Sequence, residues 1–241
     1  MTRLMGTACL ILLLGVPAAC AADMTDLLKS LPTIPSGGTA QDSGTVASGL
    51  KEALSVGTKN AVGALSKTNG YFGNEAVKIL LPENVRRAGD ALRMAGYQKE
   101  VDAFVLSMNR AAEKAAPKAA DIFAGAIREM SITDAQKILN GGNTAATEYF
   151  KSKTSSKLFD AFKPDISQSM NEVGVTKAYK AMTDRYTALM PFAKMESFDL
   201  DRYVTNKSLD GLFTMVGQEE TKIRTNPAAR TTELLQKVFA K

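Results

Sequence analysis

Apolar residues recur at intervals of three, four and seven along most of the chain, the spacing that places them on one face of an α-helix. The first such face runs through Val46, Leu50, Leu54, Ala61 and Leu65. The same periodicity returns over residues 101–115, 119–130 and 209–223. The pattern predicts an all-α fold, a compact, bundle-like single domain of many helices.

Glycine, proline and polar residues indicate where these helices begin and end. Asn69-Gly70 ends the first helix, and Pro82 suits the start of the second because a first helical turn does not need its missing N–H. Pro117 kinks the third helix or separates it from the next. Thr133-Asp-Ala-Gln136 has the form of a capping box that opens a short helix. Further helices are predicted over 156–162, 165–173, 176–190 and 234–239.

One apolar segment does not follow the helical period. Ala76 to Leu81 reads Ala-Val-Lys-Ile-Leu-Leu and is closed by Pro82. We expect either an isolated strand or a buried extended segment here. A single strand cannot form a sheet, so this segment does not change the fold class.

The first 21 residues have the features of a signal peptide. Arg3 supplies positive charge, Leu10 to Val16 is apolar but too short to span a bilayer, and Ala19-Cys20-Ala21 offers a cleavage site between small residues. We expect export, into a bacterial periplasm. Residues 22–45 lack an apolar period and contain proline, glycine and small polar residues, which predicts a flexible linker. Residues 46–241 then form the all-helical domain.

Cys20 allows a second interpretation of the leader. Pro17-Ala-Ala-Cys20 resembles the lipobox of bacterial lipoproteins, whose cysteine is lipidated, although proline stands where that motif has leucine. Lipidation of Cys20 would make the protein an anchored lipoprotein of the outer membrane. Only in that case do we expect contact with a membrane.

Composition excludes several kinds of chemistry. The chain has no histidine, and its two cysteines, Cys9 and Cys20, lie in the leader. Catalysis by serine–histidine–aspartate or cysteine–histidine, the usual zinc sites and histidine-ligated haem are therefore excluded. No phosphate-binding or dinucleotide-binding glycine motif occurs, and we predict no cofactor and no metal. The net charge of +5 is interspersed along the chain, whereas a nucleic-acid partner requires a basic cluster, so none is expected.

Two helical segments carry polar residues that a simple amphipathic helix does not require. In the first, Asn109 lies at the flank of the apolar face, and Arg110 and Glu113 are three residues apart and can pair. The simplest interpretation is an exposed ion pair within the helix. The alternative is a polar surface for a partner.

The second polar segment lies near the C-terminus. Glu220 falls on the apolar face of its helix, where a carboxylate must be paired or neutralised. Arg224, four residues later, is the first candidate partner, and Arg230, beyond Asn226-Pro227, is another. We interpret the group as a structural ion pair that locks the C-terminal helix. The alternative is a functional carboxylate of the kind that a glycosidase uses as its acid.

Short motifs throughout the domain are similar to those of one family. They include Gly49-Leu-Lys-Glu-Ala-Leu54, Met108-Asn-Arg-Ala-Ala-Glu113, Ala146-Thr-Glu-Tyr-Phe150, Asp210-Gly-Leu-Phe213 and Ile223-Arg-Thr-Asn-Pro-Ala-Ala-Arg-Thr-Thr232. Together they resemble an uncharacterised bacterial family, the domain of unknown function numbered 4197. The resemblance implies an exported, helix-rich protein and brings no activity or site residue with it.

The sequence favours a non-enzymatic binding module. Its partner would be an envelope protein or an apolar small molecule held between helices, as bundles can do. The alternative is a carboxylate-dependent enzyme that acts on cell-wall glycan. That alternative requires Glu220 or Glu148 at the base of an open groove lined with tyrosines.

Overall fold

The computed structural model describes residues 43–172, 174–191, 199–230 and 236, which are mostly helical and contain no β-strand. The α-helices are α1 (Ser43–Leu65), α2 (Glu83–Met94), α3 (Gln98–Ala115), α4 (Ala119–Glu129), α5 (Ile132–Asn140), α6 (Ala145–Glu172), α7 (Val175–Leu189) and α8 (Leu200–Thr225). The prediction of an all-α fold is confirmed. The predicted signal peptide, Cys20 and nearly all of the predicted linker lie outside the described residues, as does most of 234–239.

The long helices α6 and α8 are at the centre of the packing among the described helices. They pack against each other, α3 and α4 pack on α6, and α1 crosses α8 and contacts α4 and α5. Phe123 of α4 meets Phe150 of α6 and Phe213 of α8, with ring centroids 5.1 and 6.2 Å apart in edge-to-face geometry. The buried faces that the sequence periodicity predicts therefore converge on one core.

Two predicted helix ends differ from the structure. The capping box lies at Ser131 rather than at Thr133: Ser131 Oγ accepts from the Asp134 amide at 3.0 Å, and the Asp134 carboxylate accepts from the Ser131 amide at 3.2 Å. An aspartate thus supplies the return hydrogen bond that the predicted motif assigns to glutamine.

The prediction of separate helices over 156–162 and 165–173 is also wrong. Residues 156–162 and 165–172 all belong to α6, which continues through Pro164. Phe162 and Ile166, on either side of the proline, are completely buried, while Pro164 and Asp160 are exposed. Core packing holds the helix together, and the carbonyl that loses its donor to the proline belongs to an exposed residue, Asp160.

Between α1 and α2 the chain makes a turn and then an extended segment, residues 78–82. Val77, Ile79 and Leu81 are buried, whereas Lys78 is partly exposed and Leu80 is exposed. Of the two expectations for this region, the extended segment is the one observed. Its alternating burial is the period-two pattern of a strand.

Two buried polar clusters and a candidate binding groove

Asn109 on α3 supplies the hydrogen bonds that a neighbouring strand would give to the extended segment. Its side chain is completely buried. Asn109 Oδ1 accepts from the Ile79 amide at 2.9 Å, and Asn109 Nδ2 donates to the Ile79 carbonyl at 2.8 Å. An amide carries both a donor and an acceptor, so one side chain satisfies both buried backbone groups. Asn109 therefore fixes the position of the segment against α3.

Glu113, one turn further along α3, holds the turn that precedes this segment. Its carboxylate accepts from the amides of Tyr71 and Phe72 at 3.2 Å each and pairs with Arg110. Arg110 also donates to the side chain of Asn69 at 2.8 Å. The expected Arg110–Glu113 pair exists, but the expectation that it is exposed is wrong for Glu113, which is buried. The carboxylate is drawn inward because it caps backbone amides of the turn.

Tyr71 connects the same group of residues to α8. It is completely buried, and its hydroxyl donates to the Ser208 carbonyl at 2.7 Å. Burial first, and the nearby Glu113 charge second, raise the pKa of Tyr71 far above its ordinary value. We call Tyr71, Asn109, Arg110 and Glu113 the α3 cluster. It joins α3, α8 and the segment between α1 and α2.

Glu220 on α8 caps the N-terminus of α6. The side chain is buried, with one carboxylate oxygen accepting from the Ala146 amide at 2.9 Å. The other oxygen accepts from the amide and the hydroxyl of Thr147 at 2.9 and 2.8 Å. The first amides of a helix have no partner inside the helix and carry the positive end of its dipole, so a carboxylate matches them.

Arg224, one turn later on α8, caps the C-terminus of α5. Its Nη2 donates to the Ile138 carbonyl at 2.7 Å, and its Nε lies 3.0 Å from the Glu220 carboxylate. The pair therefore links the end of α5 to the start of α6. Each charge faces the helix end of opposite polarity, which stabilises both helix ends.

Arg230, the second candidate partner of Glu220, has a different role. Its guanidinium donates to the carbonyls of Ile223 and Arg224 at 3.1 and 2.9 Å. In the described part of the chain no hydrogen bond or ion pair joins it to Glu220. Arg230 caps the C-terminus of α8 instead.

The two carboxylates that the enzyme alternative names, Glu220 and Glu148, lie in different surroundings. The cavity that touches Glu220 has a volume of about 10 Å³, no more than one water requires. Both oxygens of Glu220 already accept hydrogen bonds from fixed donors. Glu148 is exposed on α6, 3.6 Å from Lys151, and it lines a surface groove with no tyrosine among the lining residues. Neither Glu220 nor Glu148 therefore lies at the base of an open groove lined with tyrosines.

The described residues do not meet the requirements of a carboxylate, histidine or cysteine metal site or of a membrane-spanning helix. In that part of the chain, no three side chains of aspartate, glutamate, histidine or cysteine are grouped so that they could hold a metal ion. No described helix combines the length and the apolar character that crossing a membrane demands.

A surface groove with a volume of about 670 Å³ lies beside the segment that the α3 cluster holds. We call it the Leu80 groove. It is lined by Phe72, Lys78, Leu80, Leu81, Glu83, Arg86, Asp90, Arg93, Asp102, Val105, Tyr203 and Lys207. The extended segment, α2, α3 and α8 therefore all contribute to it.

Leu80 forms an exposed apolar wall of this groove. It is 61% exposed, although its neighbours Ile79 and Leu81 are packed into the core. Tyr203 of α8 donates its hydroxyl to the Leu80 carbonyl at 2.9 Å, and the Lys78 ammonium lies 4.6 Å from the centre of the Phe72 ring. The segment that carries Leu80 is therefore bonded to α3 through Ile79 and to α8 through the Leu80 carbonyl.

Sequence reasoning did not identify this groove. The available signal is the period-two alternation over residues 77–81 in a chain that otherwise has helical periods. Nothing local marks Tyr203, because its contact with Leu80 spans 123 residues.

Comparison with known proteins places the chain at the level of a family. A family model described as "Protein of unknown function (DUF4197)" matches residues 40–240. No curated protein and no solved structure matches the chain. The matched range contains both polar clusters and the Leu80 groove.

Proposed function

The chain belongs to the DUF4197 family of unknown function. From its leader sequence we propose that it is exported, and from its structure we propose that it is a non-enzymatic binding protein. Its partner is another envelope protein, which docks in the Leu80 groove. The observation that carries this proposal is that buried hydrogen-bonding side chains hold an exposed apolar residue in place.

A single exposed leucine on a protein surface needs no explanation. Leu80 differs because the segment that carries it is fixed by Asn109, which makes two hydrogen bonds to the adjacent Ile79. Glu113 and Tyr203 fix the same region from α3 and α8. Binding sites work best when rigid elements hold their surface in the bound shape before the partner arrives. The α3 cluster provides that support for the Leu80 groove.

The shape of the groove favours a protein over an apolar small molecule. Small-molecule sites bury most of their ligand's surface. The Leu80 groove is instead open along a rim where the side chains of Glu83 and Arg86 are 78% and 58% exposed. An apolar wall inside a polar, exposed rim is the arrangement of a protein–protein interface.

Export rests on the leader, residues 1–21, and is tested separately. Mass spectrometry of the protein from the periplasmic fraction should give a mature chain that begins at Ala22 or Asp23. An acylated Cys20 would place the same domain at the outer membrane as a lipoprotein. A full-length chain in the cytoplasm would contradict export.

Docking is tested with a photo-crosslinking amino acid introduced at Leu80 in living cells. We expect a discrete adduct with one envelope protein. The control position is Ile132 on α5, which is 52% exposed and does not line the groove. An adduct from both positions, or from neither, would contradict docking at the groove. With the purified pair, Leu80→Asp should weaken binding at least tenfold and leave the unfolding midpoint unchanged.

A further inference from the structure

We infer that the Leu80 groove binds an extended, acidic segment of its partner by strand addition, with the partner backbone pairing to Lys78 and Leu80. The inference rests on the proposed function, since it specifies how a protein partner would occupy that groove. Three observations support it: the direction of the backbone groups, the groups left without hydrogen bonds, and the charges beside Leu80.

One edge of the segment's backbone faces α3, and the opposite edge faces away from α3, beside the groove that Lys78, Leu80 and Leu81 help to line. Asn109 bonds both the amide and the carbonyl of Ile79, so these two groups face α3. In an extended chain the backbone groups of successive residues face opposite sides. The amides and carbonyls of Lys78 and Leu80 therefore face away from α3.

Two of these four outward groups are already used within the fold. The Lys78 amide donates to the Asn74 carbonyl at 2.9 Å, and the Leu80 carbonyl accepts from Tyr203. The Leu80 amide and the Lys78 carbonyl have no intramolecular hydrogen bond in the described part of the chain. They flank Ile79 and form the widely spaced donor and acceptor pair of an antiparallel ladder. A partner strand can accept from Leu80 and donate to Lys78 at the same time.

An unpaired strand edge is a template for another extended chain. The described residues contain no strand that competes for it. The hydrogen bonds from Asn109, rather than those of a sheet, keep the segment extended. A partner strand would thus meet a backbone already in the conformation that pairing needs, and would bury the exposed Leu80 side chain.

The charges along the groove select the partner. Each lining carboxylate has a lining arginine as its partner: Glu83 pairs with Arg86, and Asp90 and Asp102 pair with Arg93. Lys78 and Lys207 pair instead with Glu75 and Asp210, at 3.5 and 3.2 Å. These two carboxylates do not line the groove. Among the lining residues, Lys78 and Lys207 are therefore the cations whose carboxylate partners lie outside the groove, and they complement acidic side chains of a partner.

The experiment selects random heptapeptides on the mature protein alone and then measures the affinity of the selected peptides for the double variant Lys78→Glu/Lys207→Glu. We expect enriched peptides in which acidic and apolar residues alternate. The best of them, made synthetically, should slow hydrogen exchange of the Leu80 amide at least tenfold. The Ile79 amide should not change, because it is already bonded to Asn109. Peptides that bind the double variant equally well, or binding without protection of Leu80, would overturn the inference.

A matched pair of variants separates backbone pairing from side-chain contact. Leu80→Ala and Leu80→Pro both remove the leucine side chain, but only proline also removes the amide hydrogen. That amide has no intramolecular partner, so proline removes no hydrogen bond of the native fold. We expect Leu80→Pro to bind the selected peptide at least tenfold more weakly than Leu80→Ala, and equal affinities would overturn strand addition. If thermal unfolding shows that Leu80→Pro does not fold, protection of the Leu80 amide in the native protein decides instead.

The proposed function and this inference fail in different ways. A crosslink from Leu80 in cells, with no acidic peptide recovered, would leave docking in place and overturn strand addition. If neither a crosslink from Leu80 nor an acidic peptide is obtained, docking at the groove and strand addition are both overturned.

Discussion

Glu220 and Arg224 each bind a helix end as well as each other. A buried ion pair is often no more stabilising than apolar side chains of the same size, because both charges lose their hydration. Here each charge recovers hydrogen bonds from backbone groups that would otherwise have no partner, the α6 amides and the α5 carbonyls. The pair therefore acts as two helix caps.

Glu220→Gln should lower the free energy of unfolding by about 3 kcal/mol, as expected when one charge of a buried pair is removed. The variant keeps the size of the side chain but removes the negative charge that faces Arg224 and the α6 amides. Urea denaturation followed by circular dichroism measures the change. Glu148→Gln on the exposed face of α6 is the control and should stay within about 0.5 kcal/mol of the wild type. Equal effects of the two substitutions would contradict the capping role.

At the scale of elements, the extended segment depends on a helix side chain for the hydrogen bonds that a sheet normally supplies. Asn109 satisfies the buried amide and carbonyl of Ile79, 30 residues away along the chain. A strand of this length has too few backbone hydrogen bonds to be stable alone. Its conformation therefore follows from α3.

Asn109→Ala should destabilise the protein by about 3 kcal/mol, because both buried backbone groups of Ile79 lose their partner. The substitution should loosen the region around Ile79 in addition to lowering the stability of the whole domain. Amide hydrogen exchange at Ile79 should accelerate far more than exchange within α8. Asn206→Ala, at an exposed position of α8, is the control and should be nearly neutral. Unchanged exchange at Ile79 would contradict the role of Asn109.

The approach of α8 to Tyr71 depends on a glycine. A Cβ at Gly211 would lie 2.7 Å from the Tyr71 ring and 3.2 Å from the Cβ of Val77. Gly211→Ala should therefore destabilise the protein by about 1–3 kcal/mol. Gly217→Ala in the same helix should stabilise it by up to about 1 kcal/mol, because its nearest neighbour, Thr147, is 3.5 Å away and alanine favours the helix. Thermal unfolding of the two variants should thus give shifts of opposite sign, and equal shifts would contradict the close approach.

At the scale of the whole molecule, Tyr71 couples stability to alkaline pH. The folded protein keeps the Tyr71 proton because burial raises the pKa of its hydroxyl. The unfolded chain releases that proton near the ordinary value of about 10. The unfolded state then binds fewer protons, so the free energy of unfolding falls as the pH rises above 10.

Tyr71→Phe should remove this contribution. At neutral pH the variant should be less stable by about 1 kcal/mol, because the hydrogen bond to Ser208 is lost. Above pH 10 the free energy of unfolding should fall less steeply than in the wild type, by about 1.4 kcal/mol per pH unit. Urea denaturation between pH 7 and 11 measures both effects. Parallel curves for the two proteins would contradict the buried, protonated Tyr71.

The sequence predicted most of this architecture and the pairing of its polar residues, but not their surroundings. The helical periods identified α1, α3, α4 and α8, and Pro117 does separate α3 from α4 by a single turn of 3₁₀ helix, Ala116–Lys118. Local rules failed where tertiary packing competed with them. Pro164 does not end α6, because the core holds Phe162 and Ile166 on both sides of it.

The sequence by itself determined the fold class, the burial of Glu220 and its spacing from Arg224, because helical period and i,i+4 spacing are properties of neighbouring residues. Only the tertiary structure decided what the polar side chains hold. Glu220 reaches Ala146 across 74 residues, Asn109 reaches Ile79 across 30, and Tyr203 reaches Leu80 across 123. The Leu80 groove likewise forms only when segments that are distant in the chain pack together. A buried polar atom takes whichever partner packing brings within hydrogen-bonding distance, and that partner leaves no periodic signal in the chain.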